Sequence, residues 1–153
     1  MNTGLLSCQE SYSLYGLRIL IVEEFPFMVS LMTSMLREFG VGQILSTDSV
    51  DEAKIKIMDQ NVGKGDKYAI DIVMTDLMGP TQGGVDLVKW IRNHKSDAVK
   101  FAPVLFASAY TSQPVVEKAR DAGVNEILMK PISAEKLAKR LLYIIDRPRP
   151  YVK

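Results

Sequence analysis

Five short apolar runs, separated by segments with helical periodicity, constrain the fold of this chain more than any other feature. The runs lie at residues 18–22, 44–47, 70–75, 103–107 and 126–129. Several are almost continuous in branched apolar residues, as is typical of parallel strands covered on both faces. Strands that alternate strictly with helices, joined by right-handed crossovers, form a parallel sheet with helices on both sides. We therefore predict an α/β, doubly wound fold.

Helix start and stop signals lie between the runs. Pro26 suits the first turn of a helix, and Gly40 suits a C-terminal cap. Ser49 and Glu52 form a capping box ahead of the next helical segment. The five predicted helices cover about residues 26–39, 50–60, 85–93, 114–122 and 134–145. Together with the runs, they predict a flavodoxin-like sheet of five parallel strands in the order 2-1-3-4-5.

The charge of the chain is nearly balanced, with 19 Lys and Arg against 18 Asp and Glu. This balance gives no electrostatic reason to expect nucleic-acid or membrane binding, and no apolar run reaches the ~20 residues that a membrane helix needs. The single cysteine, Cys8, excludes an internal disulfide framework and fits a reducing compartment. We expect a cytoplasmic protein with neither a nucleic-acid nor a membrane partner.

A length of 153 residues predicts one domain. We place it at residues 17–146, after a flexible leader at residues 1–16. The segment at residues 147–153, rich in Pro and Arg, cannot continue the last helix and is either a tail or a truncated linker. Too few residues follow the last helix to form an output domain.

Polar side chains follow the predicted strands at the points where these strands end. Glu23 and Glu24 follow the first strand, Asp76 the third, Ser108 the fourth and Lys130 the fifth. In the expected strand order the first and third strands are neighbours, so the three acids are predicted to converge. Three carboxylates and one ammonium carry a net charge of −2, which a divalent cation would cancel. Oxygen ligands favour a hard ion, so we expect Mg²⁺.

Such a site suits phosphoryl transfer to a carboxylate. A carboxylate can act as a nucleophile and form an acyl-phosphate. Asp76 is the best candidate nucleophile because it ends the central strand and precedes a glycine-rich loop with room for a phosphoryl group. A metal ion and Lys130 would offset the charge of that group, and the Ser108 hydroxyl would donate to one of its oxygens.

The strand-end segments resemble the receiver domain of two-component response regulators. The matching segments are ILIVEE at the first strand, TDLMGP around Asp76, FASAY around Ser108 and MKP at Lys130. The resemblance covers roughly residues 17–146. It implies that Asp76 accepts a phosphoryl group from a sensor histidine kinase or a phosphotransfer protein. The implied Mg²⁺ ligands are Glu24, Asp76 and the backbone carbonyl of Met78, with Glu23 acting through water.

The resemblance also implies how the signal leaves the protein. A receiver domain is not a turnover enzyme; phosphorylation shifts a two-state equilibrium and changes the affinity for other proteins. The implied partners are a downstream effector protein and a second copy of the chain in a homodimer. The usual docking face of the family extends from the helix at residues 114–122 to the last helix. A cis peptide bond is implied between Lys130 and Pro131.

Five positions modify this interpretation. The acidic pair of the family usually contains Asp, and the longer Glu23 and Glu24 shift the ligand oxygens outward, which predicts weaker Mg²⁺ binding. Ile127 stands where the family usually has Tyr or Phe, so the usual inward rotation of a ring is not available. Tyr110 either takes over part of that role or is a surface aromatic residue. Met78 and Tyr110 flank the expected approach of water, which predicts slow hydrolysis of the phosphorylated acceptor.

Two alternative functions follow from the same residues. The glutamate pair and Ile127 also fit a degenerate pseudo-receiver, which would act as a phosphorylation-independent interaction or dimerisation module. A flavin carrier on a similar sheet is less consistent with the sequence, because the acidic segment at residues 23–26 would repel a phosphate. A phosphatase of the haloacid type is less consistent as well, because it would place its nucleophile after the first strand and a second Asp two residues on.

Overall fold

The computed structural model describes residues 14–62, 69–76, 83–109 and 112–146. Within them, five parallel strands form a single sheet in the order β2-β1-β3-β4-β5, which confirms the predicted strand order. The strands are β1 (Arg18–Val22), β2 (Gln43–Thr47), β3 (Ile72–Thr75), β4 (Val104–Ser108) and β5 (Glu126–Met129). Of the expected leader at residues 1–16, residues 1–13 lie outside the described ranges, as does the expected tail at residues 147–153. Leu14 is fully buried in the core.

Six helices cover the sheet in the described part of the chain. They are α1 (Pro26–Glu38), α2 (Val50–Asn61), α3 (Gly83–Arg92), α4 (Asp97–Lys100), α5 (Gln113–Ala122) and α6 (Ala134–Asp146). Five of them correspond to the predicted helices. The additional helix, α4, is a single turn, which is too short to produce a periodic apolar pattern in the sequence.

The side chains of the strands alternate between two hydrophobic cores. Ile19 and Ile21 of β1 face a core that also contains apolar residues of α1 and α6. Leu20 and Val22 face the opposite core, which is formed with α2, α3, α4 and α5. Both faces of the sheet are therefore covered, which explains the nearly continuous apolar runs in the sequence.

A buried arginine links several elements on one side of the sheet. Arg92, at the end of α3, is 2% exposed. Its guanidinium donates to the backbone carbonyls of Lys100, Ala102 and Gly123 and to the side-chain oxygen of Asn125. These acceptors lie at the end of α4, before β4 and before β5, so one side chain joins the α4–β4 and α5–β5 connections.

The start of α2 is fixed by the predicted capping box and by one further contact. The Ser49 hydroxyl accepts from the backbone N–H of Glu52 at 3.1 Å. The carboxylate of Glu52 accepts from the hydroxyl of Thr47 at 3.0 Å. Because Thr47 is the last residue of β2, this contact joins the first turn of α2 to the carboxyl end of the sheet.

Candidate functional site

The carboxyl ends of the central strands meet at one edge of the sheet. Val22 of β1 pairs with Thr47 of β2 and with Thr75 of β3, so these three strands end level with one another. A cleft of about 260 Å³ lies at the carboxyl ends of these strands. Glu23, Glu24 and Asp76 all line this cleft. The lining also includes Asp48, Ser49 and Asp51 at the start of α2, and Gly83 and Gly84 at the start of α3.

Lys130 bridges two of the predicted acids. Its Nζ lies 2.8 Å from Oδ2 of Asp76 and 2.9 Å from Oε2 of Glu23. The three side chains are largely shielded from water, with exposed fractions of 13% for Lys130, 18% for Asp76 and 2% for Glu23. Three of the residues predicted at the strand ends are therefore in contact, although they are up to 107 positions apart in the sequence.

The electrostatic effect of this contact is seen at Lys130. Burial alone would lower the pKa of the Lys130 ammonium, because it disfavours the charged form. Hydrogen bonds to Asp76 and Glu23, together with the charges of both carboxylates, outweigh burial and raise the pKa of Lys130 above its usual value. Lys130 therefore stays charged at neutral pH.

The backbone holds Lys130 in place. Ser108 of β4 pairs with Met129 of β5, and the next residue continues the ladder, because the N–H of Lys130 donates to the carbonyl of Ser108 at 2.9 Å. The peptide bond between Lys130 and Pro131 is cis, as the sequence implied. Ser108 itself is buried, with 1% of its surface exposed.

Glu23 and Glu24 have different environments although they are adjacent in sequence. Glu23 is buried; its Oε1 accepts from the backbone N–H of Phe25 at 3.3 Å, and its Oε2 contacts Lys130. Glu24 is exposed and lines the cleft. Residue type alone does not predict this difference in burial, because it depends on the direction in which each side chain leaves the backbone after β1.

The donor groups of the cleft fit a hard divalent cation held by few protein ligands. No group of three acidic, histidine or cysteine side chains that could hold a metal ion occurs within the described ranges. Mg²⁺ usually keeps several waters and needs only one or two carboxylates. Glu24 and Asp76 can supply these. Met78, whose backbone carbonyl was the third predicted ligand, lies outside the described residues.

The residues expected to modulate the switch are only partly described. Ile127 of β5 pairs with Phe106 of β4 and packs, half-buried, against the core on that side of the sheet. An aliphatic side chain therefore fills the place where the family usually has a ring. Tyr110, like Met78, lies outside the described ranges, so its role and the predicted shielding from water stay predictions.

A broad groove of about 1040 Å³ lies between α5, β5 and α6. Met129 and Tyr143 are exposed apolar side chains on its surface. The cationic side chains that line the groove are Arg120, Lys136, Lys139 and Arg140. Two of these form ion pairs, Arg140 with Glu126 at 2.9 Å and Lys139 with Glu135 at 3.1 Å. The groove is thus lined by apolar side chains and by more cationic than acidic side chains.

Comparisons with known sequences identify related proteins along most of the chain. A family model described as the response regulator receiver domain matches residues 19–142. Chemotaxis protein CheY-3 of Vibrio cholerae is 32% identical over 132 residues, which are 86% of this chain and 94% of that protein. Chemotaxis protein CheY of Pseudomonas aeruginosa is 28% identical over 131 residues, which are 86% of this chain and 98% of that protein.

Solved structures share the same fold. The receiver domain of the histidine kinase CKI1 from Arabidopsis thaliana, complexed with Mg²⁺ and BeF₃⁻, has a TM-score of 0.78 at 22% identity and covers 91% of this chain and 96% of that chain. Chemotaxis protein CheY4 of Vibrio cholerae has a TM-score of 0.71 at 22% identity and covers 84% of this chain and 98% of that chain.

None of the helices in the described part of the chain has the length and apolar character that crossing a bilayer requires.

Proposed function

We propose that Asp76 is the phosphoryl acceptor of this chain, because the chain belongs to the receiver domain family of response regulators. Receiver domains are signalling proteins of two-component systems and not turnover enzymes. The donor is the phosphohistidine of a sensor histidine kinase or of a phosphotransfer protein. The observation that carries this proposal is the contact of 2.8 Å between Lys130 and Asp76 at the carboxyl edge of the sheet. Because of this contact, the Asp76 carboxylate and the ammonium that balances its charge lie together beside a cleft that is large enough for a phosphoryl group.

The transfer needs one bond to form and one to break. A carboxylate oxygen of Asp76 attacks phosphorus, the bond between phosphorus and the donor histidine breaks, and the imidazole leaves with that electron pair and takes up a proton. Lys130 offsets the negative charge of the transferred group, and the Ser108 hydroxyl donates a hydrogen bond to a phosphoryl oxygen. When bound, Mg²⁺ would neutralise further charge, held by Glu24 and Asp76.

The response to phosphorylation is a change in affinity for another protein. Receiver domains in general interact with histidine kinases and with downstream effectors, and here we assign the effector to the groove between α5, β5 and α6. Exposed Met129 and Tyr143 support this assignment, because exposed apolar side chains within a polar rim are typical of protein interaction sites. A second copy of the chain is the other candidate occupant of this face.

A small phosphodonor tests the acceptor directly. The intact protein is mixed with acetyl phosphate and Mg²⁺ and weighed by mass spectrometry. We expect the mass to rise by one phosphoryl group, and we expect Asp76→Asn, the matched control, to remain unmodified. Absence of the adduct in the unaltered protein would refute the proposal and favour the phosphorylation-independent module instead. The same adduct in Asp76→Asn would show that another residue is the acceptor.

A further inference from the structure

Helix α2 carries two apolar stripes, and only one of them faces the core. Ala53 and Ile57 lie on the buried stripe, which packs against the sheet. Ile55, Met58 and Val62 form the second stripe, and their exposed fractions are 66%, 37% and 40%. The backbone N–H of Val62 still donates to the carbonyl of Met58 at 3.1 Å, so all three residues follow the helical repeat. A continuous exposed apolar stripe of this kind is typical of a surface that binds another protein.

We propose that the second stripe is the seam of a homodimer, in which α2 packs in parallel against α2 of a second copy. The spacing of the stripe is the first argument. Three and then four positions separate its residues, which is the apolar repeat of a two-stranded coiled coil. Together with Lys54 and Asp59, the stripe lines a surface groove of about 510 Å³, which can receive the same stripe of another copy. This assignment goes beyond the proposed function, because it needs neither a phosphoryl group nor a cation.

The charges beside the stripe select a second copy as the occupant. Lys54 directly precedes Ile55 on the flank toward α3, where its Nζ lies 5.8 Å from the centre of the Trp90 ring. Asp59 directly follows Met58 on the other flank. In parallel helices packed along such a seam, a residue on the first flank lies opposite the residue five positions further along on the partner's second flank. Lys54 of each copy therefore meets Asp59 of the other, which gives two identical ion pairs about a two-fold axis. An antiparallel pair would instead place the two Asp59 carboxylates opposite each other, and like charges repel.

The position of α2 leaves both functional surfaces open in such a dimer. The helix packs beside β1 and β2, whereas the groove between α5, β5 and α6 lies at the opposite edge of the sheet. Because α2 begins at the carboxyl edge, two parallel copies of it open both clefts at the same end of the dimer. The second copy therefore belongs at α2, and the groove between α5, β5 and α6 is left to the effector.

Sedimentation equilibrium of the full chain, without phosphodonor or Mg²⁺, tests the proposal. We expect a reversible equilibrium between monomer and dimer. Ile55→Asp should weaken the dimer about tenfold or more, because it places a charge in the apolar seam. Met129→Asp is the matched control, because it changes an exposed apolar residue of the groove in the same way, and it should leave the dissociation constant unchanged. Circular dichroism shows whether each variant is folded.

A charge exchange tests the parallel arrangement. Lys54→Glu and Asp59→Lys should each weaken self-association about tenfold, because two attractive pairs become repulsive. Mixed in equal amounts, the two variants should associate about as tightly as the unaltered protein, since both pairs across the mixed interface again join opposite charges. Salt screens exposed ion pairs, so the difference between each variant and the unaltered protein should shrink as the salt concentration rises.

Three results would overturn the proposal. One is an unaltered chain that stays monomeric at about 1 mM, a concentration at which even a weak dimer is populated. Another is a dimer that resists Ile55→Asp or is broken by Met129→Asp, which would place the interface at the groove. The third is a mixture of Lys54→Glu and Asp59→Lys that associates no better than either variant alone. If Ile55→Asp does not fold, the charge exchange decides. Because these measurements involve no phosphoryl group, their outcome is separate from that of the acceptor test at Asp76.

Discussion

Replacing Arg92 with methionine should destabilise the fold strongly without touching the carboxyl edge of the sheet. The guanidinium is buried, and its hydrogen bonds go to the carbonyls of Lys100, Ala102 and Gly123 at 2.8, 2.6 and 2.9 Å. Methionine fills much of the same volume, so the cavity left behind is small. What the variant loses is the donors, and the acceptors stay in place.

The expected magnitude follows from those acceptors. A buried acceptor left without a partner costs about 1–3 kcal/mol. Three carbonyls would cost about 3–9 kcal/mol, but water can reach the partly buried carbonyl of Lys100, which favours the lower part of this range. We expect a loss of about 3–5 kcal/mol in the free energy of unfolding, a large share of the ~5–15 kcal/mol of a typical domain. Arg92→Lys should also destabilise, because a single ammonium cannot replace the fork of donors.

Urea unfolding of both variants measures the effect, with Arg140→Met as the matched control. Arg140 is 48% exposed and pairs with Glu126, so its loss should cost less than about 1 kcal/mol. If Arg92→Met loses no more stability than Arg140→Met, the reasoning from buried acceptors is wrong.

Three further predictions concern the site, a buried acid and a helix cap. Lys130→Met should slow phosphorylation by acetyl phosphate about 100-fold in a mass-spectrometric time course, and a rate near that of the unaltered protein would contradict its role. Burial raises the pKa of Asp71 above its usual value. The folded state therefore holds this proton more tightly than the unfolded state does. As a result, the contribution of Asp71 to stability falls as the pH rises from the unfolded pKa of about 3.9 through the folded pKa. Urea unfolding should therefore show Asp71→Asn gaining stability relative to the unaltered protein across that window, whereas a pH-independent difference would count against it. Ser49→Ala should cost about 1 kcal/mol in urea unfolding by removing the cap of α2, with the exposed Ser34→Ala as a control that should change little.

The sequence predicted the sheet and the residues at its carboxyl edge because both depend on simple regularities. Continuous apolar runs identify buried parallel strands, and parallel strands deliver their last residues to one edge. This reasoning placed Glu23, Asp76 and Lys130 at one edge of the sheet, where they are in contact, without any knowledge of side-chain directions. It also predicted that Ser49 caps α2, because a capping box is a local pattern.

The remaining features depend on long-range geometry. The different environments of Glu23 and Glu24 follow from where each side chain points after β1, and identical residue types carry no information about that. Arg92 would ordinarily be assigned to the surface, since arginine is rarely buried. Its burial depends on carbonyls from two segments, at residues 100–102 and at Gly123, that converge only in the folded chain. The single turn α4 is too short for periodicity to identify.

The ladder between β4 and β5 continues into Lys130, whose N–H donates to the carbonyl of Ser108. The sheet itself thus anchors the backbone of Lys130, while Glu23 and Asp76, which follow β1 and β3, hold its ammonium. Substitutions or length changes in the turns that carry neither acid can alter which proteins approach the cleft while Lys130 keeps its contact with Asp76. The choice of partner protein and the chemistry at Asp76 can therefore change independently of one another in proteins that descend from this one.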